Sequence, residues 1–180
     1  MNTVSHEKRS HLAKLISTNC VRYGDFPLSG GGRSNYFIDC GKLWLSDRLC
    51  VVVDCLWDAL QPLPRQVGGP SVGADPLIGA LLLLARMMGQ PLSGFVVKKD
   101  GSIQGDFRPV STVIIEDVIT TGTQVQRTAT LAEEQGATIQ GIVALVDREA
   151  GAIGLLKRWN YYPLLTVRDL GVITVPSPAG

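Results

Sequence analysis

The segment VIIEDVITTGTQV, residues 113–125, carries the residue types in this chain that are best suited to chemistry. Its apolar β-branched residues predict a buried strand that ends in a ligand loop and leads into a helix. The backbone N–H groups of residues 121–123 are suited to hold a phosphate at the N-terminus of that helix. Glu116 and Asp117 come just before this turn and offer acceptors for two vicinal hydroxyls. A phosphate beside a diol is the chemistry of a ribose 5-phosphate.

Two other interpretations of this segment bear on the kind of site it forms. A Walker A loop requires Gly-Lys-Ser/Thr, and no lysine follows Gly122, so that nucleotide-binding motif is excluded. In the second interpretation, the segment is an ordinary parallel strand whose acids only cap the next helix.

Composition narrows the class of protein. The chain has 180 residues, of which 45% are hydrophobic and 18% charged, values typical of one globular domain. A formal net charge of +1 shows no nucleic-acid footprint, so a polyanionic small ligand requires a local cluster of basic residues. The four cysteines, Cys20, Cys40, Cys50 and Cys55, show no CxxC spacing, which indicates reduced thiols rather than zinc ligands.

The apolar runs predict no membrane segment. Residues 1–14 are polar and charged and lack the apolar core of a signal peptide. The longest apolar run, residues 77–88, is interrupted by Arg86 and is too short to span a bilayer. We therefore expect a cytoplasmic protein with neither a membrane nor a nucleic acid as its partner.

Helical and strand patterns alternate along the chain. Apolar periodicity and end signals predict helices at residues 5–16, 46–60, 76–88, 124–135 and 152–159. Short apolar runs predict strands at residues 36–38, 66–68, 95–97, 139–146 and at the start of the 113–125 segment. Ser46 is the expected N-cap of the second helix. Residues 100–108 contain glycines without periodicity and are expected to form a mobile loop.

This alternation predicts an α/β protein whose parallel sheet is covered by helices on both faces. Ligands of such sheets bind beyond the carboxyl ends of the strands. Four polar or glycine-rich features follow predicted strands: residues 68–70, 98–99, 116–117 and 147–148. We therefore expect these features to meet at one edge of the sheet and to form a site.

Residues 113–125 closely resemble the 5-phosphoribosyl 1-pyrophosphate (PRPP) signature of type I phosphoribosyltransferases, which favours the ligand site over the helix cap. Further segments resemble orotate phosphoribosyltransferases in particular: FPLSGGGRSNYFID at 26–39, VGGPSVGADP at 67–76, FVVKKD at 95–100 and ALVDRE at 144–149. The resemblance implies the type I phosphoribosyltransferase fold, with a central, mostly parallel sheet flanked by helices. It also implies a single domain over residues 1–180, in which residues 1–40 and the C-terminal part form a small base-binding hood.

The resemblance assigns residues to PRPP. Lys98, Lys99 and Asp117 are the implied catalytic residues. The implied PRPP-binding residues are Gly69, Pro70, Lys98, Lys99, Glu116, Asp117, Val118, Ile119, Thr120, Thr121, Gly122, Thr123 and Gln124. Mg²⁺ is the implied cofactor; it binds through PRPP, and Glu116 and Asp117 contact it through water rather than as direct ligands. A solvated pair on a loop is the alternative for Lys98 and Lys99.

The implied base-binding residues are Ser29, Tyr36, Phe37, Thr120 and Arg148. Tyr36 and Phe37 offer an aromatic face to a flat pyrimidine, and Arg148 offers a fork that fits a carboxylate bidentately. Orotate has both features. Ordinary structural roles stay open: core packing for the two aromatic residues, a salt bridge from Arg148 to a neighbouring acid, and a turn-stabilising hydroxyl for Thr120.

The chain departs from the family pattern around Lys99. The family loop reads RKExKxHG, whereas residues 98–105 read KKDGSIQG. Counted position by position, Lys98 replaces an arginine, Ser102 a lysine and Gln104 a histidine. Gln104 carries no charge and Ser102 is too short to reach where a lysine would. This comparison predicts PRPP binding with weakened catalysis.

The implied reaction transfers 5-phosphoribosyl from PRPP to orotate and gives orotidine 5′-monophosphate and pyrophosphate, in pyrimidine biosynthesis. The family works as a homodimer with shared active sites, and the protein's part is to position the reactants and neutralise charge. Three alternatives stay open: a phosphoribosyltransferase for another base, a non-enzymatic PRPP-sensing regulator, and a partner subunit that needs a standard paralogue to donate its loop. The intact base pocket counts against the regulator.

Overall fold

The strands of this chain divide between a large sheet and a small N-terminal one. The computed structural model describes residues 1–27 and 33–172. Its helices are α1 His6–Asn19, α2 Gly41–Trp44, α3 Leu49–Ala59, α4 Asp75–Met87, α5 Thr123–Glu134 and α6 Ala152–Leu156. Its strands are β1 Val21–Pro27, β2 Arg33–Ile38, β3 Gln66–Pro70, β4 Ser93–Val97, β5 Ile103–Gly105, β6 Ser111–Ile119, β7 Thr138–Asp147 and β8 Tyr161–Thr166.

The large sheet has the strand order β5-β4-β3-β6-β7-β8. The strands from β4 to β8 in this order are parallel, and β5 pairs antiparallel with β4 at the edge. The central strands β3, β6 and β7 are buried along most of their length, because helices cover both faces of a parallel sheet. The predicted α/β fold with a mostly parallel sheet is confirmed.

Alternate residues of the central strands enter two different apolar clusters. Ile115 of β6 belongs to a cluster that also holds buried residues of α1, α3 and α4. Its neighbour Ile114 belongs to a second cluster with buried residues of α5 and α6. Both faces of the sheet are therefore covered by apolar side chains. Polar groups that could bind a ligand lie at the ends of the strands. No described helix is both long and apolar enough to cross a membrane.

The small sheet consists of β1 and β2, which pair antiparallel. It is the small N-terminal element that the resemblance implied. The sequence pattern predicted only residues 36–38 of β2 and missed β1. β1 is exposed along most of its length, so its residues do not alternate between apolar and polar in the way that identifies a half-buried strand.

The predicted helices at residues 5–16, 76–88 and 124–135 correspond to α1, α4 and α5. The prediction that Ser46 caps a helix reaching residue 60 is wrong, because α3 begins only at Leu49. The Ser46 hydroxyl instead donates to Leu43 O at 3.1 Å and accepts from Arg48 N at 3.3 Å. Ser46 therefore closes the bend between α2 and α3.

The prediction that residues 100–108 form a mobile loop is also wrong in its central part. Residues 103–105 form β5, whose register places Gln104 opposite Val96 of β4. A three-residue strand at the edge of a sheet is too short to show periodicity, so the sequence carried no signal for it. The connection from β4 to β5 is reduced to a tight turn, residues 98–102.

Candidate active site

Glu116 and Asp117 stand side by side near the carboxyl end of β6. Glu116 is 8% exposed, and Asp117 is half-buried. Glu116 Oε1 accepts a hydrogen bond from Asp117 N at 3.0 Å, and Asp117 Oδ1 accepts one from Val118 N at 2.7 Å. Burial, followed by repulsion from Asp117, raises the pKa of Glu116 well above its ordinary value. A cation or a hydroxyl donor beside this pair would relieve the repulsion.

The turn after β6 enters α5 through Gly122, whose φ is 86°. Thr120, Thr121, Thr123 and Gln124 are exposed around it, and the hydroxyls of Thr121 and Thr123 lie 3.0 Å apart. The N–H groups in the first turn of a helix have no carbonyl partner within that helix, so they suit an anion. The turn thus offers backbone and hydroxyl donors to a phosphate.

Val118 and Ile119 differ from the exposed residues that follow them. Ile119 is 2% exposed and packs in the core. Its carbonyl oxygen accepts a hydrogen bond from Arg148 N at 2.8 Å. Val118 is half-buried and packs against the other cluster. Both side chains therefore support the site from beneath, and Ile119 places Arg148 beside it.

The glycine-rich loop after β3 approaches the acid pair closely. Gly69 and Pro70 end β3, and the loop follows them. A Cβ atom at Gly73 would lie 2.4 Å from Asp117 Oδ1 and 2.7 Å from Glu116 Oε1. These distances exclude a side chain, so glycine at position 73 lets the loop pack directly on the two carboxylates.

The loop after β3, the turn after β4 and the start of α5 surround a cavity of about 130 Å³. Five residues assigned to PRPP line this cavity: Pro70, Lys98, Lys99, Glu116 and Gln124. Ser71, Gly73 and Val97 also line it; they lie within the segments 67–76 and 95–100 that carry the resemblance but were not assigned individually. Sequence reasoning missed Arg127 and Thr128. Positions 124, 127 and 128 lie on one face of a helix, and this spacing was the signal that could have found Arg127 and Thr128.

Residues 98–102 form a closed turn at the mouth of this cavity. Lys98 N donates to Ser102 O at 2.9 Å, and Gly101 N donates to Lys98 O at 2.9 Å. Asp100 Oδ1 accepts hydrogen bonds from Ser102 N at 2.9 Å and from Ser102 Oγ at 2.7 Å. The turn is thus held by its own hydrogen bonds, which keep its lysines beside the cavity.

Arg148 links the large sheet to the small one. Its Nε donates to the Tyr36 hydroxyl at 3.0 Å, its Nη2 donates to Ser34 Oγ at 2.9 Å, and its guanidinium carbon lies 4.4 Å from the centroid of the Tyr36 ring. Glu149 pairs with Arg168 at 3.2 Å, and the ion pairs among the described residues do not include Arg148. Arg148 therefore contacts neutral groups and keeps its charge for an anion.

Tyr36 and Phe37 point to opposite faces of β2, as neighbouring strand residues do. Tyr36 is 4% exposed and lies under Arg148, whereas Phe37 is 45% exposed. The rings of Phe37 and Phe26 are tilted, with centroids 5.7 Å apart. Phe37 therefore presents an exposed aromatic surface, and Tyr36 positions Arg148. The predicted base contact Ser29 lies outside the described residues.

No family model matches the chain, but curated relatives do. The orotate phosphoribosyltransferase of Pyrococcus abyssi (strain GE5 / Orsay) is 34% identical over 175 residues, which cover 90% of this chain and 94% of that protein. The orotate phosphoribosyltransferase of Tropheryma whipplei (strain Twist) is 33% identical over 175 residues, which cover 90% of this chain and 82% of that protein. This chain belongs to the orotate phosphoribosyltransferase family.

Solved structures of orotate phosphoribosyltransferases have the same fold. The Mycobacterium tuberculosis H37Rv enzyme in complex with inorganic phosphate gives a TM-score of 0.78 at 26% identity, covering 92% of this chain and 99% of that one. The same enzyme in complex with PRPP gives a TM-score of 0.76 at 26% identity, with the same coverage. The Aeropyrum pernix enzyme gives 0.76 at 28% identity, covering 88% of this chain and 96% of that one.

The turn after β4 differs in sequence from the family motif RKExKxHG. Gln104, which the position-by-position comparison set against the family histidine, lies in β5 opposite Val96. Ser102, set against the family lysine, closes the turn through its bonds to Asp100. All residues between β4 and β5 are described, and they form only this turn. In this chain position 102 therefore closes the turn and position 104 belongs to the edge strand.

The acids near the cavity suit a metal ion that arrives on its ligand. The described residues contain no group of three or more His, Cys, Asp and Glu side chains that could hold a metal. Asp75 Oδ1 is buried without a hydrogen-bond partner among them, and repulsion from Asp117 and Asp75 contributes to the raised pKa of Glu116. The ion pairs among the described residues include none of these three carboxylates. A Mg²⁺ ion carried by phosphate oxygens and water would relieve their repulsion, while the lysines and the arginine of the cavity remain free for the anion.

Proposed function

We propose that this chain transfers the 5-phosphoribosyl group of PRPP to orotate and releases orotidine 5′-monophosphate and pyrophosphate, a step of pyrimidine biosynthesis. The single observation that carries the choice of substrate is Arg148. Its guanidinium is half-buried at the sheet edge and contacts only neutral partners, Tyr36 and Ser34, among the described residues. An aromatic ring that carries a carboxylate satisfies both this charge and the exposed Phe37.

PRPP lies along the carboxyl ends of the strands, from the turn before α5 to the turn after β4. Residues 120–124 hold the 5-phosphate through backbone N–H groups and hydroxyls. Glu116 and Asp117 accept hydrogen bonds from the ribose hydroxyls, since Glu116 lines the cavity and both carboxylates lie against Gly73, which lines it too. Lys98 and Lys99 neutralise the diphosphate in the cavity beside Pro70. This order follows the order of the groups in PRPP itself.

During the reaction, the bond from C1′ to the diphosphate oxygen breaks and its electron pair leaves on pyrophosphate. A ring nitrogen of orotate forms the new bond to C1′ from the opposite face and gives up its proton to solvent. Lys98 and Lys99 stabilise the charge that grows on the leaving group, whereas Arg148 and Phe37 orient the base. A Mg²⁺ ion that arrives with PRPP would supply further positive charge to the leaving group. Glu116 and Asp117 keep the ribose in place while its ring becomes cationic.

The decisive experiment follows the loss of orotate absorbance after PRPP and Mg²⁺ are added, with the product identified by mass spectrometry. The expected result is orotidine 5′-monophosphate in the presence of Mg²⁺ and none after chelation. The double variant Glu116→Gln, Asp117→Asn is expected to bind PRPP more weakly in calorimetry, because charged acceptors are lost. PRPP binding that is unchanged in this variant would overturn the assignment of the acid pair. Turnover of another base in preference to orotate would overturn the choice of substrate.

The tight turn favours a second candidate, a protein that binds PRPP and orotate with little turnover of its own. Electrostatic closure over pyrophosphate is weaker when no charged loop follows Lys99. This candidate predicts that calorimetry detects both ligands while the absorbance assay stays flat. A partner subunit is the version of this candidate in which an added standard paralogue restores turnover without any mutation.

The remaining expectations concern the whole chain. We propose that residues 1–180 form one domain, with residues 1–40 contributing the base-binding hood. The contact between Arg148 and Tyr36 supports this, because it joins the small sheet to the large one. A homodimer with shared sites and a cytoplasmic location stay predictions that rest on the resemblance.

A further inference from the structure

Three cationic side chains line the cavity between the loop after β3 and α5. Lys98 and Lys99 come from the turn after β4, and Arg127 comes from the second turn of α5. All three side chains are exposed, so their charges are accessible to a ligand. The anionic residue among the lining residues is Glu116. The cavity therefore has an excess of positive charge, as a site for a polyanion requires.

Arg127 is held in a defined place in this cavity. Its Nη1 donates to the carbonyl oxygen of Lys99 at 2.8 Å, across 28 positions of the chain. A guanidinium carries five N–H donors in a fixed plane, so this bond leaves most of them for another acceptor. The bond fastens the turn to α5 and orients the guanidinium plane beside the lysines.

The turn is shaped around Arg127. Gly101 has a φ of 90°, which favours glycine, and a Cβ atom there would lie 2.9 Å from Arg127 Nη2. A larger residue at position 101 would push the guanidinium away from the turn. The short turn therefore packs directly against Arg127, and glycine at position 101 permits this contact.

Arg127 shares its helix face with residues already placed at the site. Gln124 and Thr128 line the same cavity three positions before and one position after it. With the ribose of PRPP placed at Glu116, its diphosphate would lie in this cavity. A side chain on this face of α5 reaches toward that space. The planar fork of a guanidinium matches two phosphate oxygens at once.

We propose that Arg127 binds the diphosphate of PRPP and thereby takes over charge neutralisation that the lysine and histidine of the family motif would otherwise supply. This inference rests on the proposed function and names a further residue of the same site. Arg127 acts on the substrate directly through its unused N–H groups. It acts on Lys98 and Lys99 as a positioning residue, because it fastens their turn to α5.

The test separates the two halves of PRPP by calorimetry with Mg²⁺-pyrophosphate and, separately, with ribose 5-phosphate. Arg127→Gln keeps a donor for the Lys99 carbonyl but removes the charge. Its dissociation constant for pyrophosphate is expected to rise roughly tenfold to a hundredfold, the range for a lost charged hydrogen bond. Its affinity for ribose 5-phosphate is expected to stay the same. Arg127→Lys is expected to keep pyrophosphate affinity within a few-fold, because the charge remains.

Arg65→Gln is the matched control, since Arg65 is exposed and precedes β3 at the opposite end of that strand from Pro70. It is expected to bind both ligands as the unchanged protein does. Equal pyrophosphate affinity in Arg127→Gln and Arg65→Gln would overturn the inference and leave the proposed function standing. Equal losses of both ligands in Arg127→Gln and Arg127→Lys would show a purely structural role and overturn it too. An unchanged protein that binds neither ligand would overturn the proposed function along with it.

Discussion

At the residue scale, two ionisable side chains are at least partly buried without an opposite charge beside them, as expected where a ligand binds. Arg148 is half-buried with neutral partners, and Glu116 is buried beside Asp117. Burying a charge without an opposite charge is costly, so such positions persist where a ligand completes them. The two side chains lie at the ends of the neighbouring strands β6 and β7. The residues proposed to recognise the base and the ribose therefore belong to neighbouring strands.

Replacing Arg148 by alanine is expected to weaken the binding of orotate and orotidine 5′-monophosphate far more than that of PRPP. A hydrogen bond to a charged group contributes about 1.5–3 kcal/mol, which corresponds to roughly a tenfold to hundredfold loss of affinity. Calorimetry with each ligand measures this, and Arg65→Ala is the control. Equal binding of uracil and orotate by the unchanged protein would contradict the carboxylate argument.

Glu116→Gln is expected to change how stability depends on pH. Because folding raises the pKa of Glu116, the folded state holds this proton while the unfolded state loses it, from the ordinary carboxyl pKa up to the raised one. The free energy of unfolding therefore falls as pH rises through that window. Without ligand or metal, the glutamine variant should lack this fall. Urea unfolding at several pH values measures the difference, and parallel curves for the two proteins would refute the prediction.

At the element scale, the connection from β4 to β5 distinguishes this chain from the family motif. The hydrogen bonds of residues 98–102 close the turn within itself, and Arg127 of α5 fastens it from outside. β5 begins directly after the turn, so its residues are held by the edge of the sheet. A change of side chain in β5 therefore does not bring that side chain over the cavity.

The double variant Ser102→Lys, Gln104→His is expected to leave kcat within about twofold, because these positions belong to the turn and the strand. Replacing residues 100–102 with a longer loop that carries lysine and histidine is expected to raise kcat, because added cations stabilise the leaving group most as its charge develops. Pyrophosphate release measures both. A Gly-Ser insertion of equal length is the control. A double variant that gains as much as the loop graft would contradict this prediction.

At the scale of the whole molecule, an apolar face of α4 has no cover within the described chain. Leu83 is 64% exposed and Met87 is 75% exposed, and their spacing of four places them on one face of the helix. Exposed apolar patches of this kind mark association surfaces. A second copy of this chain is the occupant that the proposed homodimer requires.

Sedimentation is expected to give twice the 19.3 kDa mass of one chain. The double variant Leu83→Glu, Met87→Glu is expected to shift the protein toward the single-chain mass, because charge repels two copies at a shared face. Leu45→Glu is the matched control, since Leu45 is 97% exposed and lies outside α4. A double variant that sediments like the control would place the interface elsewhere.

The sequence predicted the order of most strands and helices. It also predicted which residues follow each of those strands. Apolar runs such as residues 113–115 mark buried parallel strands, and in such sheets the carboxyl ends meet at one edge. This is why Glu116, Lys98 and Arg148 could be predicted to lie toward one edge of the sheet. Glu116 and Lys98 line one cavity, and Arg148 is not among its lining residues. β5 and the tight turn escaped prediction, because a three-residue edge strand leaves no periodic signal.

The tertiary structure alone decided which partners these residues have. Arg148 bonds to Tyr36 and Ser34 across more than a hundred positions of the chain rather than to its acidic neighbours. Arg127 meets the carbonyl of Lys99 because α5 packs beside the turn after β4. Sequence patterns report the local period of burial, whereas contacts between distant segments depend on how the elements pack. The positions of the proposed recognition residues at the strand ends were therefore predictable, whereas the short turn and its arginine became visible only in the folded chain.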